Sequence, residues 1–184
     1  MSTQLDTCDS NQLFSCHFNM SRACAVERFF QPKVSSAAAD GLFEIDKTSE
    51  KLSDAEQEKF HKIVAKGLFL SKRARPDVQP VIAFLCTRVK CPTEQDKEKL
   101  HRMMSFLWWT KDECLTLEMD DSGMIEWHVD ASFAAHSDMR SHAGATLFMG
   151  KGAIESVSSK QKINTRSSTD AEIVAVDDVI ARVM

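Results

Sequence analysis

Ile125-Glu-Trp-His-Val-Asp-Ala131 is the stretch that decides the fold: Ile125, Trp127 and Val129 alternate with Glu126, His128 and Asp130. A period of two sends successive side chains to opposite sides of an extended backbone, so these residues specify a strand with one apolar face. Two further short strands follow at 144–149 and 153–157, separated by Gly150-Lys-Gly152, whose glycines accept the positive φ of a tight turn. Together the three segments predict an antiparallel meander. On the N-terminal side Leu115, Leu117 and Met119 also alternate with polar residues, and Asp120-Asp-Ser-Gly123 supplies a turn; this predicts a hairpin with the 125–129 strand. On the C-terminal side Thr169-Asp-Ala-Glu172 has the spacing of a capping box, opening a helix with Ile173, Val176, Ile180 and Val183 directed inward. Neither glycine nor proline closes that helix before Met184, so the terminus reads as a cut.

Before residue 112 the period is helical. Ser53-Asp-Ala-Glu56 is a capping box, and Phe60, Ile63, Val64 and Leu68 recur on one face until Arg75-Pro76 stops the run. Asp77 caps a second predicted helix, with Val78, Val81, Ile82, Leu85, Cys86 and Val89 in one stripe and Pro80 harmless in the first turn. Thr93 opens a third, with Leu100, Met103, Met104, Leu107 and Trp108 at offsets of three and four. Three amphipathic helices in succession imply a helical layer ahead of the sheet. Residues 1 to about 40 show little periodicity, and Ser35-Ser-Ala-Ala-Ala-Asp-Gly41 reads as a linker.

Composition bounds the function classes. Of the 184 residues 43% are hydrophobic and 27% charged, which argues against wholesale disorder. No apolar run approaches the roughly 18 residues of a membrane span. Polar Ser2, Thr3, Gln4 and Asp6 stand where a signal peptide needs a basic start. The expectation is an intracellular chain, cytoplasmic or nuclear, with no membrane partner. A net charge of −4 provides no global basic field, so a polyanion would have to be met by local patches. The six cysteines, Cys8, Cys16, Cys24, Cys86, Cys91 and Cys114, contain no C-x-x-C pair, and Cys16-His17 with Cys24 fits no common zinc spacing. They read as reduced, structural thiols.

Two carboxylates are candidates for chemistry. Asp130 follows Trp127-His-Val129 at the end of an apolar run; its bland role is a strand-terminating aspartate satisfied by backbone N–H groups. Glu172 has an equally bland role as the last residue of its capping box. Their order is more specific: an acid on a first strand, two antiparallel strands, then an acid in the first turn of the next helix. A second lead is basic. Residues 156–169 hold Lys160, Lys162 and Arg166 with no acid, among serines, threonine and asparagine, and suit phosphate contacts if not merely a solvated loop. Lys72, Arg73 and Arg75 read more simply as cations at a helix C-terminus. His128, His136 and His142 would suit zinc or iron better than magnesium, and read as satisfied loop or surface histidines. Phe106, Trp108 and Trp109 could stack bases, but at the end of an amphipathic helix they read as packing.

The blocks Val129-Asp-Ala-Ser-Phe133, Asp138-Met-Arg-Ser-His-Ala-Gly144, Ser159-Lys-Gln161 and Ser167-Ser-Thr-Asp-Ala-Glu-Ile173, in this order, resemble the ribonuclease H domain of copia-type retrotransposon polyproteins. Upstream, Ala38-Ala-Asp40, Leu42-Phe43, Lys51-Leu-Ser53, Phe60-His61, Leu68-Phe-Leu70, Lys72-Arg-Ala-Arg-Pro-Asp77 and Phe84-Leu85 resemble the segment joining reverse transcriptase to that domain. The family usually has glutamate where Asp170 stands. The resemblance implies an α+β chain. Residues 1–42 are unassigned and open to disorder, 43–111 form a helical connection segment, and 112–184 form a partial, truncated ribonuclease-H-like mixed sheet with helix. It implies that Asp130 and Glu172 are catalytic Mg²⁺ ligands in a two-metal hydrolysis of the RNA strand of an RNA–DNA hybrid. Further family carboxylates are expected beyond Met184, so the isolated chain is expected to be inactive, with the remainder of a Pol polyprotein and nucleic acid as its partners. The polymerase's paired aspartates are outside the matched region. A non-catalytic nucleic-acid or protein binding module, and another nuclease or integrase of the same superfold, are the alternative readings.

Overall fold

The computed structural model describes residues 33–183 and is an α+β arrangement, as expected. Its order is α1 (Asp54–Arg73), a 3₁₀ turn (Pro76–Val78), α2 (Gln79–Arg88), α3 (Glu94–Trp109), β1 (Glu118–Met119), β2 (Glu126–Ser132), β3 (His142–Phe148), β4 (Gly150–Lys151), β5 (Ala153–Lys160) and α4 (Ser168–Val183). Cys8, Cys16, His17 and Cys24 lie outside the described residues. Among the described residues no helix is long and apolar enough to cross a membrane.

The helical layer closes on its own core. Phe60 and Val64 of α1, Val81, Ile82, Phe84 and Leu85 of α2, and Leu100, Met103 and Leu107 of α3 are buried together. The core starts before residue 43, because Ala37 and Leu42 are buried in it too. Gly67 sets the closeness of α1 to α2: a Cβ there would stand 2.5 Å from Ile82 Cδ1. The close approach at Gly67 also shifts the buried face of α1 toward Leu70, leaving Leu68, read from the sequence as inward, exposed.

The capping expectations divide. Thr93 forms the predicted cap of α3, its Oγ1 accepting from Asp96 N while the Asp96 carboxylate accepts from Thr93 N at 2.9 Å. Ser53 does not cap α1. Its hydroxyl instead donates to Glu56, whose carboxylate is drawn across to Lys97 on α3 at 2.8 Å. Asp77 does not cap α2 either. It sits in the 3₁₀ turn, paired at 2.6 Å with Arg75, which is buried and also donates to the Thr110 carbonyl and hydroxyl. Arg75 therefore ties the α1 end to the α3 end, a role beyond that of a terminal cation facing the helix dipole.

The meander forms as predicted, in the spatial order β2-β3-β5, all antiparallel. Asp130 pairs with Gly144 and Ser132 with His142, and His142 pairs in turn with Lys160. The predicted 115–129 hairpin does not form. β1 pairs with β4 instead, Met119 opposite Gly150. The reason is steric: a Cβ at Gly150 would lie 2.4 Å from the Glu118 carbonyl, and one at Gly152 2.1 Å from the Thr116 carbonyl. Only the missing side chains at positions 150 and 152 let residues 116–118 lie against this turn, and glycines leave no alternating pattern to read.

Strand alternation gives the sheet two faces. Residues His142, Ser156 and Ser158 face the helical layer, where Gln79 Nε2 and Lys72 Nζ both donate to the Ser156 carbonyl at 2.9 Å. α4 packs on β2 and β3 from the other side, through buried Ala171, Ala175 and Val179 against buried Ala143 and Ala145. This corrects the expected inward face of α4: Ile173 is 63% exposed, and Val176 and Ile180 are also in solvent. Side chains at i, i+4 and i+8, two of them alanines, let the helix sit close to the sheet, and that contact outweighs the larger hydrophobics a third to nearly half a turn away. Val183 belongs to the last turn, whose side chains lie outside the described residues.

Candidate functional site

Asp130 lies within β2, two residues before its end, on the same face as His128 and Ser132. Its Oδ1 accepts from Ala131 N at 2.9 Å, and its side chain is otherwise turned to solvent. A Cβ placed on its cross-strand partner Gly144 would find nothing nearer than the Asp130 carbonyl oxygen at 4.0 Å. The glycine is not required by the protein's own packing; it leaves open space beside the aspartate, as strand glycines do where a ligand or backbone approaches closely. Asp130 and Gly144 border a cleft of about 1010 Å³ between this face and the helical layer, whose far wall includes Leu42, Phe43 and Pro80.

Glu172 is exposed on α4. The helix begins two residues earlier than its sequence suggests: Ser167 Oγ accepts from Asp170 N at 3.1 Å, and the Asp170 carboxylate accepts from Arg166 N at 3.3 Å. Asp170 thus takes the capping role that Glu172 was expected to fill. The N-terminal turn of α4 is fixed at the rim of the sheet where β2 and β5 end. Gln161 N donates to the Ser141 carbonyl at 2.9 Å, and Gln161 Nε2 to the Ala171 carbonyl at 2.7 Å. Glu172 follows Ala171, and Asp130 is two residues from Ser132 on the same rim. The aspartate is on the cleft face while α4 covers the other, so a cation shared by both carboxylates would lie at this rim and not on the flat of the sheet. Among the described residues no group of three or more His, Cys, Asp or Glu side chains is placed to hold a metal ion.

The basic residues are only partly a loop. Lys160 ends β5 and is held by Asp138 at 2.6 Å, an ion pair that keeps the Asp138 carboxyl below its usual range. Lys162 and Arg166 are exposed in the segment that follows. Phe106 lies under the Arg75 guanidinium, 5.5 Å from the ring centroid, and Trp108 under Lys111 at 4.9 Å, so both serve packing as expected; Trp109 is exposed.

Two histidines read as loop or surface residues are instead buried. His136 Nε2 and His142 Nδ1 are 3.1 Å apart, His142 Nε2 is 2.7 Å from Ser158 Oγ, and the Phe43 ring lies 4.6 Å from each imidazole. Burial, then the neighbouring His136, pushes His142 down to about 4; burial and then Lys160 lower His136. This chain of rings seams the helical layer to the sheet. The sequence carried a partial signal for one member alone: His142 stands two residues before Gly144 and so shares its strand face, while the contacts with His136 and Phe43 left no mark in the sequence. His128, by contrast, is exposed, 3.7 Å from Glu126.

No protein-family model matches the chain, and no solved structure matches it significantly. Among characterised sequences it is similar to a transposon Ty5-1 protein of Saccharomyces cerevisiae, 26% identical over 126 residues, a match covering 67% of this chain. The match takes in 41% of that protein, so the chain spans less than half of its relative's length. What this sequence is similar to, over two thirds of its residues, is a transposon protein.

Proposed function

We propose that the chain is a remnant or fragment of a copia-type Pol polyprotein. In this reading it joins the reverse-transcriptase connection segment (43–111) to the N-terminal part of a ribonuclease H domain (112–184). The observation that carries the reading is the pair of carboxylates: Asp130 within the first long strand, exposed with one oxygen accepting from Ala131 N, and Glu172 one turn into the helix after the meander, exposed and relieved of the capping role by Asp170. Similarity to a transposon protein supports it independently.

Asp130 and Glu172 would be the Mg²⁺ ligands. The donor chemistry fits, since magnesium takes hard oxygen ligands. The number does not, because two carboxylates cannot hold and orient a metal pair. When bound in the parent enzyme, the ions supply an activated water and stabilise the leaving oxygen of an in-line displacement. With the set incomplete, this chain is a non-hydrolysing piece whose own contribution is to position the hybrid. The solvent-facing Ile173, Val176 and Ile180 fit a chain that packs against the rest of a polyprotein. The test is a Mg²⁺-dependent assay on a labelled RNA–DNA hybrid. The expected result is no cleavage above background; robust cleavage abolished by Asp130→Asn would overturn the inactivity, and cleavage of duplex DNA in preference to hybrid would favour another nuclease of the superfold.

A further inference from the structure

From Lys59 to Arg75 no acidic residue occurs, while the stretch carries Lys59, Lys62, Lys66, Lys72, Arg73 and Arg75. In a chain of net charge −4 this is a local reversal of sign. At 3.6 residues per turn, Lys59, Lys62, Lys66, Phe69 and Arg73 fall along one side of α1, opposite buried Val64 and Ser71. The helix dipole accounts for cations in the last turn, not for Lys59, Lys62 and Lys66 several turns earlier. Lys62 pairs with Glu58 at 2.6 Å, but both are well exposed, and such pairs yield readily to a polyanion. Phe69, 46% exposed, stands in the same line, with the Arg73 guanidinium 5.9 Å from its ring centroid. A large aromatic flanked by cations on a solvent face is the composition that binds unpaired bases and their phosphates together.

The stripe continues past the helix. Lys72 docks the C-terminal turn of α1 on the Ser156 carbonyl of β5. At this junction a hollow of about 330 Å³ is lined by Leu68 and Lys72 from α1 and by Ser159 and Lys160 from β5. Lys162 and Arg166 follow Lys160 in sequence and are exposed. Lys72 and Lys160, far apart in sequence, therefore border one hollow.

We propose that the outer face of α1 and the Lys160–Arg166 segment form one continuous track for single-stranded nucleic acid, with Phe69 as a stacking platform. From Lys59 to Arg73 the helix rises about 21 Å, the length of roughly six nucleotides at 3.4 Å each. An anionic membrane is a poorer fit, because the apolar side of α1 is committed to the core and has nothing to insert. The track rests on the functional reading only in taking the partner to be nucleic acid, and it needs no metal.

The experiment is fluorescence anisotropy of the full chain with a labelled single-stranded RNA of about 20 nucleotides, in EDTA, across a salt series. Lys66→Gln/Arg73→Gln is expected to weaken binding on the order of tenfold near 0.1 M salt and to lower the salt slope by about 1.4, at 0.7 per lost contact. Phe69→Ala is expected to weaken it about fivefold or more with the slope unchanged. Lys90→Gln, an exposed lysine off the stripe, should change neither. If the Arg73 change disturbs the docking of α1, seen as a lowered melting temperature, Lys62→Gln/Lys66→Gln carries the same prediction on turns away from β5. No binding by the natural chain, or stripe variants with unaltered affinity and slope, would overturn the track. So would equally tight binding to phosphatidylserine vesicles through the same lysines. RNA binding in EDTA reads the track and Mg²⁺-dependent chemistry reads the carboxylate pair, so failure of the carboxylate pair and failure of the track give different results.

Discussion

The helical half and the sheet half of this molecule satisfy their apolar residues in opposite ways. In the helices the large side chains go inward: Val78, Ile82, Leu85, Met103 and Leu107 are fully buried. In the sheet half the small side chains go inward, Ala143 and Ala145 against Ala171 and Ala175, while Leu117, Met119, Ile125, Ile154, Ile163, Ile173 and Ile180 remain in solvent. The difference teaches where stability is stored. Burial of a Leu- or Ile-sized side chain contributes about 1.5–3 kcal/mol, and alanines contribute far less. The helical half therefore holds most of the hydrophobic stabilisation, and the sheet rests on it through a seam of hydrogen bonds and stacked rings.

The sharpest way to break this comparison is truncation on each side of it. Ile82→Ala removes a fully buried side chain packed against Gly67 and is expected to cost about 2–5 kcal/mol in urea unfolding. Ile173→Ala on α4 should change stability by no more than about 0.5 kcal/mol. Comparable losses at both sites would mean that the sheet half holds as much packing as the helices.

Acid tests the seam. An unfolded histidine titrates near 6.5, whereas His142 in the folded chain is held at about 4 by burial and by His136. The unfolded state therefore binds the proton first. The stability tied to keeping His142 neutral is fully present above about pH 6.5 and is lost as pH falls toward 4, by roughly 3 kcal/mol at the limit. Urea midpoints at pH 7 and 4.5 measure it. His142→Gln should show a smaller drop than the natural chain, and an equal drop in both would place the acid sensitivity elsewhere.

The smallest effects concern the two helix starts within the helical half. Thr93→Ala removes a formed cap and should cost about 1 kcal/mol. Ser53→Ala removes a hydroxyl that does not cap, and its midpoint should stay within a few tenths of a kcal/mol.

The sequence was most legible where pattern and packing coincide. Residues 78–89 and 100–108 showed their buried stripes because the residues that pack are also the large apolar ones, and the 126–160 meander showed because alternation and turn glycines agree. It was least legible where the decisive residues carry little side chain. Gly150 and Gly152 recruit β1 away from the expected hairpin, and Ala171 and Ala175 turn α4 so that Ile173 and Ile180 face out. For the site, Asp130 and Glu172 could be named from order and spacing, but the seam of His136, His142 and Phe43 could not, because it joins three segments whose contact depends on register. The α1 stripe was readable in part as a run without acids; its continuity with Lys160 required the docking of α1 on β5.

The claim on which the functional account depends is that Asp130 and Glu172 converge on one cation at the rim of the sheet. Mn²⁺, a paramagnetic substitute for Mg²⁺, added to the isotope-labelled chain and followed by NMR, tests it most directly. The account predicts that the amide signals around residues 130 and 172 broaden together over the same Mn²⁺ range, and that Asp130→Asn removes both effects at once. Broadening around one residue alone, or broadening at 172 that survives Asp130→Asn, would contradict it.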